Sequence, residues 1–425
     1  MTGPSRHVAC LASAVLALLT TACVTITTDF TTGPGTPSDG ARQTGAPSTE
    51  PLRSAKPGSA ARKATQAAPP VAQLSGLPES TADANTMVAH FINVGQGDAT
   101  LLEFSCGTVL IDTGGEKTAE VSGRERLTAY VEDFFQHRPD LARTLDLVVL
   151  THPHADHTDG VDGLLQANPA ITIKNVLDNG TSDKGSGISG QKHLQQFARN
   201  TGAGYVGLAE AGITTVAGVT NDVIDPVNCR TGNTGVDPKI AALWGRVDLD
   251  TTWANNANND SVVLRVDFGN ASFLFMGDLE EQGIAAMLDS YSPDPSILNT
   301  DILKVGHHGS HNGTTAALVE AVTPKIAVAQ SGDSTLSQAQ FSAYSFAHPH
   351  RDAIRLLSDT THGGVTKSRP AKTVRVGVKG RNPSTGAEPQ FTEITLDRAI
   401  YDNGWDGNIA VIAHADGTLS VETEF

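Results

Sequence analysis

Residues 151–160 read THPHADHTDG, which puts His152, His154, Asp156 and His157 within six positions of a chain that holds 14 histidines. Neutral imidazole nitrogens and carboxylate oxygens are the donors that zinc and its first-row neighbours take, and several at such short spacing can hold two ions close together. The chemistry to expect of two such ions is hydrolysis by a metal-activated hydroxide, with the ions neutralising developing oxygen charge. No Ser or Cys nucleophile is needed. The plainer alternative is a polar helix start, with Asp156 or Thr158 capping and the histidines solvated. Four ligand-type residues in six positions weigh against it.

Two later segments close on residues of the same kind. Asp278 ends FLFMGD, and His307 and His308 end ILKVGHHGS. Adjacent strand residues face opposite ways, so at most one of this histidine pair is expected to face a shared metal. Taken singly, each has an ordinary turn or cap reading; their joint placement at strand ends is what suggests one site. Asp112, in LIDTG, is expected behind the ligands, holding a histidine by a hydrogen bond. Asp98, in GQGD, does similar work or caps a turn. His348 and His350 precede RDAIRLLSD, a helix whose N-terminus suits a phosphate or carboxylate, against the reading of a solvated loop. His193 stands alone in a weakly patterned stretch and reads as surface.

The elements that must position these residues are legible around them. MVAHFINV, ATLLEF and TVLIDTGG read as strands of an antiparallel meander. RERLTAYVEDFF has helical spacing, LDLVVLTH is a buried strand that delivers the histidine cluster, and DHTDGVDGLLQ is the helix that begins there. From Asn179 to Asn259 Gly, Thr and Asn dilute the signal, which suggests long loops or an insertion. Order returns with two strands in SVVLRVDFGNASFLFMGD, then helix EEQGIAAMLDS, strand DILKVGHHGS, helix TTAALVEAV and strand KIAVAQSG. WDGNIAVIAHADGTLSVETEF closes as a hairpin. Strands alternating with helices after a meander imply a layered α/β architecture.

Composition sets the frame. Residues 1–23 resemble a signal peptide, with Arg6 before an apolar run from Val8 to Leu19 that is too short to span a membrane. Cys23 after Ala22 resembles the lipidated cysteine of a lipoprotein signal, although Thr20 stands where that pattern carries a larger aliphatic residue. No Phe, Trp or Tyr occurs between Phe30 and Phe91, so 24–82 reads as a disordered Pro/Gly/Ser/Ala-rich tether. The folded part is then 83–425, outside the cytoplasm, secreted or lipid-anchored. Cys106 and Cys229 either pair there or stay buried and free. The chain carries a formal charge of −16, which disfavours long duplex nucleic acid as a partner.

The pattern HxHxDH with a later GD and HHGS resembles the metallo-β-lactamase superfamily. The fuller set FINVGQGDATLLEF, VLIDTGG, LTHPHADHTDG, NDSVVLRVDFGNASFLFMGD, LKVGHHGS and HPH is similar to the metallo-hydrolase domain of ComEC-type DNA-uptake proteins. That resemblance implies an αβ/βα sandwich with a binuclear site. It would assign His152 and His154 to the first metal, Asp156 and His157 to the second, Asp278 to a bridge, and His307, or else His308, to the last ligand. Asp156, His308 and His348 are the catalytic candidates. Many members carry a further histidine where this chain reads NNANND, so Asp260, Asn259 or water would fill that position, and manganese becomes an alternative to zinc. No apolar run reaches the ~18 residues of a membrane span, so no channel is expected. The implied substrate is a phosphodiester, as a small molecule or short oligonucleotide. A lactam or ester hydrolase, and a tethered non-catalytic binding module, are the alternatives.

Overall fold

A computed structural model of the chain describes residues 83–180, 184–208, 218–230, 235–245 and 255–425. The signal segment with Cys23 and the tether read in 24–82 lie outside the described residues. β1 (Thr86–Phe91), β2 (Thr100–Glu103) and β3 (Thr108–Ile111) are buried at every position and pair antiparallel, giving the expected meander. A short β4 (Thr144–Leu145) leads into β5 (Leu147–Val149), which joins β3 in parallel, while β6 (Thr172–Ile173) pairs with β4. β7 (Asn175–Asp178) and β8 (Gly204–Gly207) extend the same sheet in parallel.

The second sheet holds β9 (Lys239–Trp244), β10 (Val263–Phe268), β11 (Ala271–Phe275), β12 (Ile302–Lys304) and β13 (Ile326–Ala329). Next comes an antiparallel ribbon of its own, β14 (Ser368–Lys379) with β15 (Gln390–Arg398). β16 (Ile400–Asp402) then returns beside β13, and β17 (Ile409–His414) pairs with β1 and with β18 (Leu419–Thr423). Among the described residues the sheets run β18-β17-β1-β2-β3-β5-β7-β8 and β16-β13-β12-β11-β10-β9.

Side-chain alternation explains the layering. Val109 and Ile111 lie in a core shared with Phe273, Phe275 and Val328 of the second sheet, whereas Leu110 between them lies in a second core with Leu127, Val131 and Phe134 of the helix Gly123–His137. With side chains pointing to alternate faces, β2, β3, β5 and β7 each serve both cores. Ile284, Leu318 and Ile354, from three later helices, are buried with the second sheet. Helices outside two facing sheets give the α/β sandwich expected from the sequence.

Three features depart from the sequence reading or decide what it left open. DHTDGVDGLLQ forms two short helices, Ala155–Thr158 and Val161–Leu165, because the Gly160 N–H donates to Thr113 O at 2.7 Å instead of back into its own helix. The weakly patterned region holds a 14-residue helix, Ile188–Thr201, that buries Gln191, Leu194 and Ala198. Cys106 and Cys229 form a disulfide, with Cα atoms 5.4 Å apart. Among the described residues no helix is long and apolar enough to cross a membrane.

Candidate metal centre

Backbone hydrogen bonds bind three loops into one floor for the histidine cluster. Asp98 N–H donates to Asp156 O at 3.0 Å, Gly114 N–H to Asp98 O at 3.0 Å, and Thr113 N–H to His157 O at 2.8 Å. The approach is close enough to exclude a side chain at Gly114, where a Cβ would lie 1.7 Å from Asp156 O. This accounts for the glycine in DTGG, just as burial of β5 accounts for LDLVVL before the cluster.

At the centre stands Asp278, which is 1% exposed. Its Oδ2 lies 3.1 Å from His157 Nε2, 3.2 Å from His308 Nε2, 3.8 Å from His152 Nε2 and 3.9 Å from His307 Nε2. His152 Nε2 is 3.0 Å from His154 Nδ1, and His308 Nε2 is 3.3 Å from Asp156 Oδ2. The three distant segments are therefore brought together around one carboxylate oxygen. Asp278 Oδ1 is buried without a hydrogen-bond partner, and imidazole nitrogens crowded this closely repel unless a proton or a cation lies between them. Buried N and O donors converging with one unpaired oxygen fit divalent metal ions.

Behind the donors sit carboxylates that set which nitrogen faces inward. Asp112 Oδ2 is 2.8 Å from His157 Nδ1, and its two oxygens also accept from Thr151 N–H and Oγ1–H, each at 2.8 Å. That bond fixes a proton on Nδ1 and turns Nε2 toward Asp278. His308 Nδ1 lies 3.0 Å from Gln330 O and 3.1 Å from Asp98 Oδ1. Asp98 Oδ2 accepts from the buried Lys304 ammonium at 2.6 Å. Asp98, His157, Asp278 and His308 each bring one donor atom within 4.8 Å of the others. Asp98 nevertheless meets the outer nitrogen of His308 and is occupied by Lys304, so it acts as an orienting acid like Asp112.

The charges are strongly coupled. Burial pulls His157 down, but Asp278 and Asp112 outweigh it and hold the imidazole well above its ordinary pKa. His308 is raised the same way, against burial, by Asp278 and Asp98. Burial and the charge on His157 push His152 well down, and His154 is lowered chiefly by burial. Against the cost of burial, His157 and His308 hold Asp278 well below the carboxylate range, and the hydrogen bond from His308, with the charge on His157, does the same for Asp156. Positive charge is held at the spot where a cation would sit.

The remaining candidates divide clearly. His307 and His308 are not strand residues: they lie beyond β12 in a turn, with φ of +49° and +53°. This left-handed backbone lets both rings turn toward Asp278. His308 is enclosed, whereas the His307 side chain is 21% exposed and its Nδ1 meets Asn312 Oδ1 at 3.1 Å. His348 is buried, with its ring centroid 6.2 Å from that of His308 and no partner for Nδ1; burial, then His307 and His308, push its pKa well down. His350 caps the helix Arg351–Ser358, its Nδ1 accepting from Asp352 N–H and its Nε2 donating to Val378 O, so it is committed to the fold. His193 is exposed and pairs with Asp162 at 2.7 Å. The Asn259 amide oxygen accepts from the N–H groups of Glu280 and Gly283, and Asp260 faces Lys184 at 3.7 Å. Sequence reasoning missed Lys304; a lysine inside the apolar run ILKVG was the available signal, because a buried ammonium requires a carboxylate.

Fold and site together define a metallo-hydrolase. The chain belongs to the metallo-beta-lactamase superfamily, whose family model matches residues 92–332, more than half of its length. It is similar to "ComE operon protein 3" of Bacillus subtilis, 25% identical over 273 residues, which cover 63% of this chain and 30% of that protein. It is also similar to "Competence protein ComA" of Neisseria gonorrhoeae, 26% identical over 259 residues, 61% of this chain and 29% of that one. The chain thus spans less than a third of the length of these relatives. Among solved structures it is similar to the metallo-beta-lactamase fold protein YhfI of Bacillus subtilis, at 14% identity and TM-score 0.35, over 57% of this chain and 85% of that one.

Proposed function

We propose that the chain is a metal-dependent phosphodiesterase acting on short or single-stranded nucleic acid or a small phosphodiester. The observation that carries this reading is the single oxygen, Asp278 Oδ2, within 3.9 Å of four imidazole nitrogens from two distant segments. His152, His154 and Asp278 would hold one divalent ion, and Asp156, His157, His308 and Asp278 the other. The first set is short of a ligand, because Asn259 is engaged elsewhere, so one tight and one weaker ion are expected. When bound, such ions act as Lewis acids that acidify water and neutralise charge on phosphoryl oxygens; the nitrogen-rich set favours zinc, with manganese as the alternative at the shorter site.

The chain's own groups supply the rest. Asp112 and Asp98 fix the orientation of His157 and His308. The Asp156 side chain, 30% exposed, reaches the solvent side of the cluster, which places it to take a proton from attacking water. His348, neutral at physiological pH, is assigned to contact substrate. Similarity to competence proteins supports a nucleic-acid substrate, and the Cys106–Cys229 disulfide supports an oxidising compartment outside the cytoplasm. Anchoring through a lipidated Cys23 belongs to the same proposal.

The test sets bis(p-nitrophenyl) phosphate beside nitrocefin, with zinc- and manganese-loaded protein. Turnover of the phosphodiester that EDTA abolishes supports the reading. Turnover of nitrocefin alone would make it a lactamase. The incomplete first site favours one other reading, a tethered non-catalytic binding module, which predicts no turnover of either compound.

A further inference from the structure

The ribbon strand β14 and its flanks break the charge pattern of the chain. From Lys367 to Arg381 there are six lysines and arginines of the chain's 30 and no Asp or Glu, in a protein of net charge −16. Three of these cations are spent on the fold: Lys367 donates to Leu419 O, and Arg369 and Lys372 to the buried Asp406. Of the other three, Arg375 and Arg381 keep different company. The Arg375 guanidinium lies 3.8 Å over the Phe391 ring, Phe391 stacks on Tyr344 at 5.7 Å, and Arg381, which also pairs with Glu388 at 2.9 Å, lies 5.8 Å from the Tyr344 ring.

Next to this stack a second series of rings runs inward. Phe341 is 66% exposed and Phe346 38% exposed, with centroids 6.3 Å apart. Phe346 stacks on His348 at 5.6 Å, and His348 on His308 at 6.2 Å, with interplanar angles of 24° and 26°. Beside His348 a cavity of ≈ 260 Å³ is lined also by Arg375, Trp405, Ser334, Thr335 and one acid, Asp333. Aromatic residues make up only 5% of the chain, so exposed rings leading to the metal centre are not background. Apolar rings alone would suit a lipid or protein surface. Guanidinium groups interleaved with ring faces suit a ligand that alternates flat π-faces with anionic groups, which describes a nucleic-acid strand whose bases are unpaired. A duplex hides those faces and meets the repulsion of the acidic protein.

We propose that the face formed by Phe341, Phe346 and His348, flanked by Arg375 and Arg381, binds an unpaired nucleic-acid strand by base stacking and leads it to the metal centre. The delivery step rests on the phosphodiesterase reading; the binding does not. The test is fluorescence anisotropy of the full chain in EDTA, with a labelled oligothymidine of about 15 nucleotides, near the upper site size of stacking folds, and a hairpin duplex of equal length. The single strand should bind more tightly than the duplex. Phe341→Ala and Phe346→Ala should each weaken it by about 5- to 150-fold, as expected for loss of one stacked base, and Arg375→Gln should also lower the salt dependence. The melting temperatures of the Phe variants should match that of the wild type, which reports an intact fold. Equal affinity in the Phe variants, equal or tighter duplex binding, or adsorption to phosphatidylcholine vesicles without strand binding would overturn the proposal. Strand binding that the variants weaken, without any hydrolysis on adding metal, would uphold it while the phosphodiesterase reading fails.

Discussion

Asp112→Asn isolates the orienting role of one carboxylate with little disturbance to the fold. Asp112 adopts φ of +57°, a left-handed conformation that asparagine accepts as readily as aspartate. In one amide orientation Oδ1 still accepts from Thr151 N–H, but Nδ2 then faces His157 Nδ1, so two donors meet at the present 2.8 Å separation. Flipping the amide sets Nδ2 against Thr151 N–H, which has no other place for its proton. His157 is therefore the group that yields: its proton moves to Nε2, the nitrogen 3.1 Å from Asp278, and caps the ligand atom. Loss of such an orienting partner costs roughly 10- to 100-fold in metal affinity, or about 1.4–2.7 kcal/mol. Competition for zinc against a chromophoric chelator measures it, with the melting temperature of the metal-free protein as the control for folding. An Asn variant that melts like the wild type and binds zinc within about 2-fold of it would refute the assignment of Asp112 as orienting acid.

Other outcomes follow from the same structure. His308→Ala should remove more bound metal and more hydrolysis than His307→Ala, because only His308 is enclosed by Asp156, His157 and Asp278; equal losses, read by metal analysis and turnover, would contradict the geometry. Replacing Cys106 and Cys229 by serine opens a closure spanning 123 positions, and chain entropy puts the loss near 4–5 kcal/mol, to be read from urea midpoints. Glu103 is held below its ordinary pKa because His90 and Arg138 outweigh the opposing effect of burial. Its contribution to stability is then full above the ordinary carboxylate pKa and fades as pH falls through the lowered folded value. Urea titrations of the wild type should show this acid loss, and Glu103→Gln should be less stable at neutral pH by about 3 kcal/mol, with a flatter acid limb, since it leaves Arg138 buried without that partner.

Much of this arrangement can be read in the sequence where local pattern and tertiary burden agree. The meander, the strand LDLVVL and the paired strands around Gly269 carry unbroken apolar runs because the sandwich buries them, and the ligand-type residues follow where those runs stop. The helix Ile188–Thr201 escaped notice because it buries a narrow stripe of Gln191, Leu194 and Ala198 inside polar surroundings. The ribbon β14–β15 escaped for a related reason: most of its residues are not buried, so its alternation serves a surface. The His307 and His308 pair shows a different limit. A two-residue period applies to strands, and these residues sit in a left-handed turn that no apolar pattern announces. The role of Asp98 depends on Lys304, which lies 206 positions away in the sequence.

The central claim is that Asp278 and the histidines around it grip divalent cations. Metal analysis after zinc loading and exhaustive dialysis, on the wild type beside Asp278→Ala, tests it most directly. The account predicts at least one tightly held zinc per chain, with a second that dialysis strips more easily, and loss of both in the variant. Less than one zinc in the wild type, or equal retention by Asp278→Ala, would contradict it.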